Sequence, residues 1–479
     1  MYSNMNNMRI KKVFALFFTI FAGCFCARAQ FPIIVELPYH TNCDTAIVRN
    51  WNTSYTVVYS KSVARGSFFY LVDPSGVAIS SAPTDNDVKD MEINEDTVYY
   101  CGVSGSGNPI FGFFTITDLT TSTCQDNVVN INFPTSMTSQ CSGFTPKKIE
   151  AFHLSDGVHA IVLVDAKFPS DSVKKVLVDI YKPYPATIWN MVMGCYDFFY
   201  ESSNIFYCDD IAVTDNFVFL IGHKRMSAGI YMRRFKKPLC CSGSYDNIFH
   251  PTGSPNFYDI IYCYAPSFGG NINILGDAYG EHSVYCTHTE DDNVAIACMA
   301  SYFDGSSSVY GTTVKNIDVT YMALINEVFH PYSTVYDRKW EVRDLRYNPQ
   351  NKNILMLHDM NNPIDGTFEN VVTAIDYPAM VTATMTWPTK DSRTFSIDKY
   401  LGLPFGIASA GASFLAVLRL YRYQHSVTNC IMVYYPNCMS WMGSISDFVI
   451  EVEPRFQQGN SVPVVYPVAL ETFENICSE

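Results

Sequence analysis

The sequence predicts an all-β chain built from about seven copies of one four-stranded antiparallel sheet. Three observations carry the prediction. A strand–turn–strand unit recurs along the chain, one strand of each unit is apolar on both faces, and no helical period persists beyond the chain start. The stretch "NEDTVYYCGVSGSGNPIFGFFTI" (94–116) shows the unit: an acidic turn, an apolar strand, a Gly-Ser-Asn-Pro break and a second apolar run.

The copies occupy residues 53–73, 94–116, 151–181, 211–235, 286–314, 345–375 and 406–435, the last two being weaker matches. In each, a first strand A, such as Met91-Glu92-Ile93 or Ile211-Ala212-Val213, leads into a tight turn. The turns are Asn94-Glu95-Asp96, Ser155-Asp156-Gly157, Thr214-Asp215-Asn216 and Glu290-Asp291-Asp292, residue types that favour a reversal. Strand B follows and is almost wholly apolar, as in Ala160-Ile161-Val162-Leu163 or Phe217-Val218-Phe219-Leu220. Strand C alternates, as in Gly229 to Phe235, and a less regular strand D follows in some copies, as in Ala186 to Val192. Continuous apolarity places B between two covered faces, whereas alternation gives C one wetter face.

Sheets of this kind bury their B strands by stacking face to face, and stacking around an axis makes a β-propeller, which leaves only short, protected edges. The alternative is one or two β-sandwiches, but a register that recurs from copy to copy fits the ring better. Through this repeat the chain resembles the β-propeller superfamily, in particular secreted bacterial propellers, over nearly all of residues 31–450. The resemblance rests on architecture alone. There are no Trp-Asp repeats, kelch Gly-Gly pairs or sialidase Asp boxes, and Ser155-Asp156-Gly157 lacks the aromatic residue of such a box. The expected organisation is a signal peptide at 1–29, a propeller at 30–450 and a tail or closing segment at 451–479. "FPIIVEL" (31–37) has no hairpin partner and is a candidate outermost strand for the last blade; segment 444–479 is the other candidate.

The chain start reads as an export signal. Arg9, Lys11 and Lys12 precede the apolar run Val13–Gly23, and Ala27-Arg28-Ala29 fits cleavage before Gln30. The run is short of the roughly 20 residues that span a bilayer. Phe21-Ala22-Gly23-Cys24 is similar to a lipobox, so a lipid anchor on Cys24 is the alternative to a soluble product. Periplasmic, cell-surface or secreted placement follows. Removing the signal takes its four basic residues away and moves the net charge from −14 to −18. Nucleic acid and anionic membranes are poor partners for such a chain. Of the 16 cysteines, 14 remain after cleavage, a number suited to an oxidising compartment. The expected pairs are Cys430 with Cys438, Cys195 with Cys208, and Cys124 with Cys141.

No nucleophile elbow, P-loop, zinc motif or EF-hand loop is present, and the glycine-rich run at 102–107 joins two strands rather than opening a helix. The histidines show no metal-ligand spacing, and no metal or cofactor is expected. On a propeller the B–C loops share one face, and loops on a rigid scaffold carry recognition. They bring forward His223, Arg225, Tyr302, Asp304, Asp359, Tyr423 and His425, a mixed aromatic and charged set suited to protein or glycan ligands. The expected function is therefore a non-catalytic binding or assembly module. The alternative is a glycan-acting enzyme with a dispersed active site, which carboxylates converging near a central channel would favour.

Overall fold

The computed structural model describes the strands between residues 33 and 435 and most of their connections. Residues 1–32, 37–42, 193–205, 225–229, 238–263, 275–283, 332–339, 384–400, 422–427, 436–479 and some shorter loop stretches lie outside the described residues. The expected signal peptide and C-terminal tail fall outside them. Among the described residues no helix is long and apolar enough to cross a membrane.

The chain begins with β1 (Ile33–Glu36). One sheet then pairs β2 (Cys43–Asn50), β3 (Thr56–Ser62), β4 (Gly66–Val72) and β5 (Ala78–Thr84) in chain order. The next repeats the plan with β6 (Asp87–Asn94), β7 (Thr97–Val103), β8 (Pro109–Thr115) and β9 (Asn127–Asn130). A third contains β10 (Gly143–Leu154), β11 (Gly157–Lys167), β12 (Val173–Pro183) and β13 (Asn190–Val192). A fourth has β14 (Phe206–Val213), β15 (Phe217–Lys224) and β16 (Ile230–Lys236). After a small pair, β17 (Tyr264–Ala265) with β18 (Gly270–Asn271), comes a fifth sheet. There β19 (Asn273–Ile274) and β20 (Tyr285–His288) both pair with β21 (Asn293–Phe303), followed by β22 (Ser308–Asp318) and β23 (Ala323–Pro331). Next come β24 (Trp340–Asn348), β25 (Asn353–Asn362), β26 (Thr367–Asp376) and β27 (Val381–Ala383). The last sheet holds β28 (Leu401–Ala410), β29 (Ser413–Tyr421) and β30 (Thr428–Tyr435), and its outermost strand is β1 from the chain start. Ile33 to Glu36 run antiparallel to Ile431–Tyr434. That hydrogen-bonded pairing ties the two ends of the ring together and covers an edge that would otherwise stand open.

Innermost strands touch in sequence, β2 to β6, β10, β14, β20, β24 and β28, and β28 returns to β2. This cyclic order of antiparallel sheets is a β-propeller. A sandwich would divide the strands between two facing sheets, and here each sheet meets both its neighbours. Among the described residues five apolar cores lie between consecutive sheets, and strand β7 shows why. Val98 and Tyr100 point into the core shared with the preceding sheet, while Tyr99 and Cys101 point into the core shared with the next. Period-two alternation thus puts apolar groups on both faces of a middle strand. Val98, Ile161, Val218, Val294 and Leu355 are all fully buried in middle strands, but not at equivalent positions: Val98, Val218 and Val294 face the core shared with the preceding sheet, and Ile161 faces the core shared with the next. The side chain of Leu415, in the corresponding strand β29, lies outside the described residues.

The tight A–B turns recur in their backbone as well. Glu95, Asp291 and Lys352 each sit at φ near +53°, the left-handed region that non-glycine residues enter only in such reversals. A short helix, α1 (Ile116–Thr120), carries a capping box between Thr115 and Asp118 and buries Ile116 and Leu119 against the first two sheets.

The expected disulfide network needs correction within this core. Cys208, read as a partner of Cys195, is a buried thiol whose Sγ donates to the Asp210 carbonyl at 3.7 Å. Cys101 and Cys286 are likewise buried thiols. All three sit in inner or middle strands, where burial pushes the thiol pKa up and keeps the group inert. Cys124, Cys195 and Cys438 lie outside the described residues.

Candidate functional site

The inner strands carry a group of buried charges that their apolar surroundings do not explain. Strands β2, β6, β10, β14 and β24 each contain a register shift against their neighbour, at Cys43/Thr45, Val88/Asp90, Pro146/Lys148, Cys208/Asp210 and Val342/Asp344. A bulge of this kind inserts one residue and re-aims the next side chain. In four of these strands that next residue is charged: Asp90, Lys148, Asp210 or Asp344. The ring thereby gathers charge around its axis.

Each of these aspartates then finds a partner. Asp90 forms an ion pair with Arg49 of the preceding sheet, and its second oxygen accepts the Ile149 N–H of the following sheet at 3.1 Å. Asp210 does the same one step on, with Lys148 Nζ at 3.2 Å and the Cys286 N–H at 3.0 Å. Asp344 accepts its neighbour Leu345 N–H at 3.0 Å and meets Arg346 Nε at 3.2 Å. Burial would lower the Lys148 pKa, but Asp210 and Asp90 outweigh it and hold the ammonium strongly charged. Burial raises the Asp210 carboxyl despite Lys148, because the site is largely closed to water.

Two carboxylates remain at the end of the channel where the A–B turns lie. Glu92 Oε2 stands 3.5 Å from Arg49 Nε. Glu150, on the adjacent inner strand, has no hydrogen bond or ion pair among the described residues. Burial raises both pKa values, and for Glu150, pushed well up, the neighbouring Glu92 charge adds to the effect. These groups line a cavity of about 550 Å³ at the mouth of the channel. Further out its wall includes Phe152, His153, Lys237, His288 and Tyr347. The Lys237 ammonium lies over the Phe152 ring at 4.4 Å, and burial lowers its pKa. His153 Nδ1 meets Glu95 at 3.2 Å, and the Tyr347 hydroxyl donates to Glu290 at 2.7 Å. In this lining the buried His153 Nε2 has no hydrogen-bond partner among the described residues, and Arg49 Nε and Arg346 Nε make no well-aligned hydrogen bond, facing the carboxylates of Glu92 at 3.5 Å and Asp344 at 3.2 Å.

The mouth faces away from the loops chosen from sequence. It opens where strands A turn into B, whereas the B–C loops lie at the other end of every sheet. His223, Tyr302 and Asp359 stand in β15, β21 and β25, towards that other end, with their side chains outside the described residues. Arg225, Asp304, Tyr423 and His425 lie outside the described residues altogether. Sequence reasoning passed over the channel charges although they leave a trace. Lys89-Asp90, Lys147-Lys148, Asp209-Asp210 and Arg343-Asp344 form a charged doublet at the same place in four A strands. Among the described residues no group of three His, Cys, Asp or Glu side chains is placed to hold a metal ion.

No family model matches this chain, and no curated protein matches it. Solved structures of similar outline exist at very low identity. The WD40 domain of SCAP from fission yeast is 8% identical, with a TM-score of 0.41 over 84% of this chain and 98% of that one. Polysaccharide lyase Uly1 is 9% identical, with a TM-score of 0.43 over 84% and 91%. An oligogalacturonate lyase in complex with manganese is 9% identical, with a TM-score of 0.40 over 85% and 99%. No residue correspondence carries over at these levels, and the fold assignment rests on the strand pairing.

Proposed function

We propose that this chain is an exported recognition module, a propeller of seven blades that takes a carbohydrate at the A–B-turn mouth of its central channel. The observation that carries the reading is the mixed set of unsatisfied groups in one cavity. The His153 Nε2 has no partner among the described residues, the Arg49 and Arg346 Nε donors meet Glu92 and Asp344 without a well-aligned hydrogen bond, and the Glu150 carboxylate has acceptor capacity to spare. A sugar hydroxyl donates and accepts at once, so a polyhydroxylated ligand satisfies both sides, whereas a purely anionic or cationic ligand satisfies one. Orphaned buried groups cost about 1–3 kcal/mol each, which a fitting ligand recovers. The cavity volume lies in the range that holds small ligands. Seven inner strands in cyclic contact support the blade number, and the apolar run with its small-residue cleavage pattern supports export.

Glycan-array screening followed by calorimetry tests the reading. Arg346→Ala and His153→Ala should each weaken binding of a selected glycan at least tenfold. Unchanged affinity in both variants would move the ligand away from the channel mouth.

A further inference from the structure

Beyond recognition, we infer that the channel mouth hydrolyses glycosidic bonds, with Glu150 as the proton donor and Glu92 as the base that activates water. The inference rests on the carbohydrate reading of the same cavity.

Charge matching in the channel singles out the two glutamates. Arg49, Lys148 and Arg346 are matched by Asp90, Asp210 and Asp344. The seventh inner strand, β28, adds no charged residue. Glu150 is the surplus, and Glu92 only shares Arg49 with Asp90, at 3.5 Å. A scaffold that used them only for cohesion would pair both as closely as it pairs the aspartates. They stand instead on touching strands β6 and β10, and both line the cavity. Their surroundings differ in the direction that separates a base from an acid. Glu92 has the Arg49 guanidinium beside it, which favours its ionised form, whereas at Glu150 burial and the Glu92 charge outweigh the pull of Arg346. Burial and the Glu92 charge raise the Glu150 carboxyl, the direction a proton donor needs. A second, independent observation points into the cavity. The Arg49 side chain is only 8% exposed, and its Nε, bordering the open space, makes no hydrogen bond beyond the loose 3.5 Å approach of Glu92.

The step balances with water as the only co-reactant. Glu92 takes a proton from water as the water oxygen bonds to the anomeric carbon. The bond from that carbon to the glycosidic oxygen breaks, and Glu150 gives its proton to the departing oxygen. Glu92 is left protonated and Glu150 ionised, and proton exchange with solvent restores the pair. Nothing is oxidised or reduced.

The experiment incubates the whole protein with a panel of neutral glucans, xylans, mannans and galactans, reading reducing ends and binding in parallel. Turnover should follow a bell-shaped pH profile, and the product should emerge with inverted anomeric configuration by NMR. Glu150→Gln should lower kcat about 10²–10⁴-fold, the share of a general acid, while leaving the Kd of the bound glycan within a few-fold. It should also remove the alkaline limb of the profile. Binding without release of reducing ends would overturn catalysis and leave recognition standing. Retained configuration would overturn the role given to Glu92. Failure of every glycan to bind would overturn the carbohydrate reading itself. The pH profile and product configuration need only the native sequence, so a poorly folding variant does not block the test.

Discussion

Removing the carboxylate of Asp90 is the sharpest test of how the ring is held together. That side chain joins three sheets. It pairs with Arg49 from one neighbour and accepts the Ile149 N–H from the other, while belonging itself to the sheet between. Asp90→Ala would leave the Arg49 charge in a side chain 8% exposed and orphan a buried backbone N–H. Breaking a buried pair from one side costs about 3–5 kcal/mol. Glu92 at 3.5 Å and the Val48 carbonyl at 2.8 Å still serve Arg49, which places the expected loss near the lower end, about 3 kcal/mol. Asp90→Asn keeps an acceptor for Ile149 and should cost less. The control is Lys147→Ala. Lys147 pairs with Asp165 at 3.7 Å with nearly half its side chain exposed, and such pairs contribute about 0–1 kcal/mol. Urea unfolding followed by intrinsic fluorescence, with the slope of the transition compared across variants, gives the values. If Asp90→Ala cost no more than Lys147→Ala, the aspartate would not be a link between blades.

Gly112→Ala should destabilise by about 1–3 kcal/mol, because a Cβ there would sit 2.0 Å from the fully buried Tyr100 ring. Tyr100→Phe, which keeps the ring and loses the hydrogen bond from Asn86 at 3.0 Å, should cost less in the same urea assay. Burial alone would raise the Asp292 carboxyl, but hydrogen bonds from Asn216, Thr214 and Thr320 outweigh it and hold the pKa low. Its contribution is therefore complete above the ordinary carboxylate range and is lost as pH falls through and below that range. Unfolding titrations below neutrality should show a shallower acid loss in Asp292→Asn, and an unchanged slope would remove Asp292 from the latch. His159 behaves in the opposite sense. Burial lowers its pKa, but Asp179 at 3.2 Å and Asp156 at 3.3 Å raise it above the ordinary histidine value. Its stabilisation is fully present below about pH 6.5 and fades as pH rises through the folded-state value. His159→Gln should flatten that alkaline decline, and a decline of equal size in the variant would refute the assignment.

Much of the scaffold was legible because its physics is local. A middle strand between two cores must be apolar at every position, so Val98 and Ile161 announced their burial through their neighbours. The A–B turns announced themselves through acidic and amide residues, and Glu95 and Asp291 do adopt the left-handed backbone there. Closure by the chain start was legible as a strand without a hairpin partner, and Ile33–Glu36 does pair with β30. The channel was not legible in the same way. Asp90 and Arg49 lie 41 positions apart, and Asp210 reaches a backbone N–H 76 positions on. Such contacts exist only once consecutive sheets have stacked. The cysteines misled for a related reason. Their number suits an exported chain, yet Cys208 and Cys286 occupy strand positions where a small apolar side chain is what packing needs.

The same bulge accounts for both the cohesion and the chemistry of the axis. An inner strand that ran regularly would keep presenting period-two side chains, and carboxylates on it would crowd one another around a narrow channel. Inserting one residue turns Asp90 and Asp210 sideways, towards the backbone of the next blade, where each is neutralised by a cation and an N–H. With those charges matched, the channel tolerates two further carboxylates at its mouth, Glu92 two residues beyond one bulge and Glu150 two residues beyond another. The aspartate variants should therefore loosen the ring, whereas Glu150→Gln, which replaces a buried carboxyl that its surroundings push towards the neutral form, should leave stability unchanged or raise it. A glutamate whose neutralisation weakened the fold as much as Asp90→Ala would belong to the structural set, and the functional reading of the mouth would lose its strongest member.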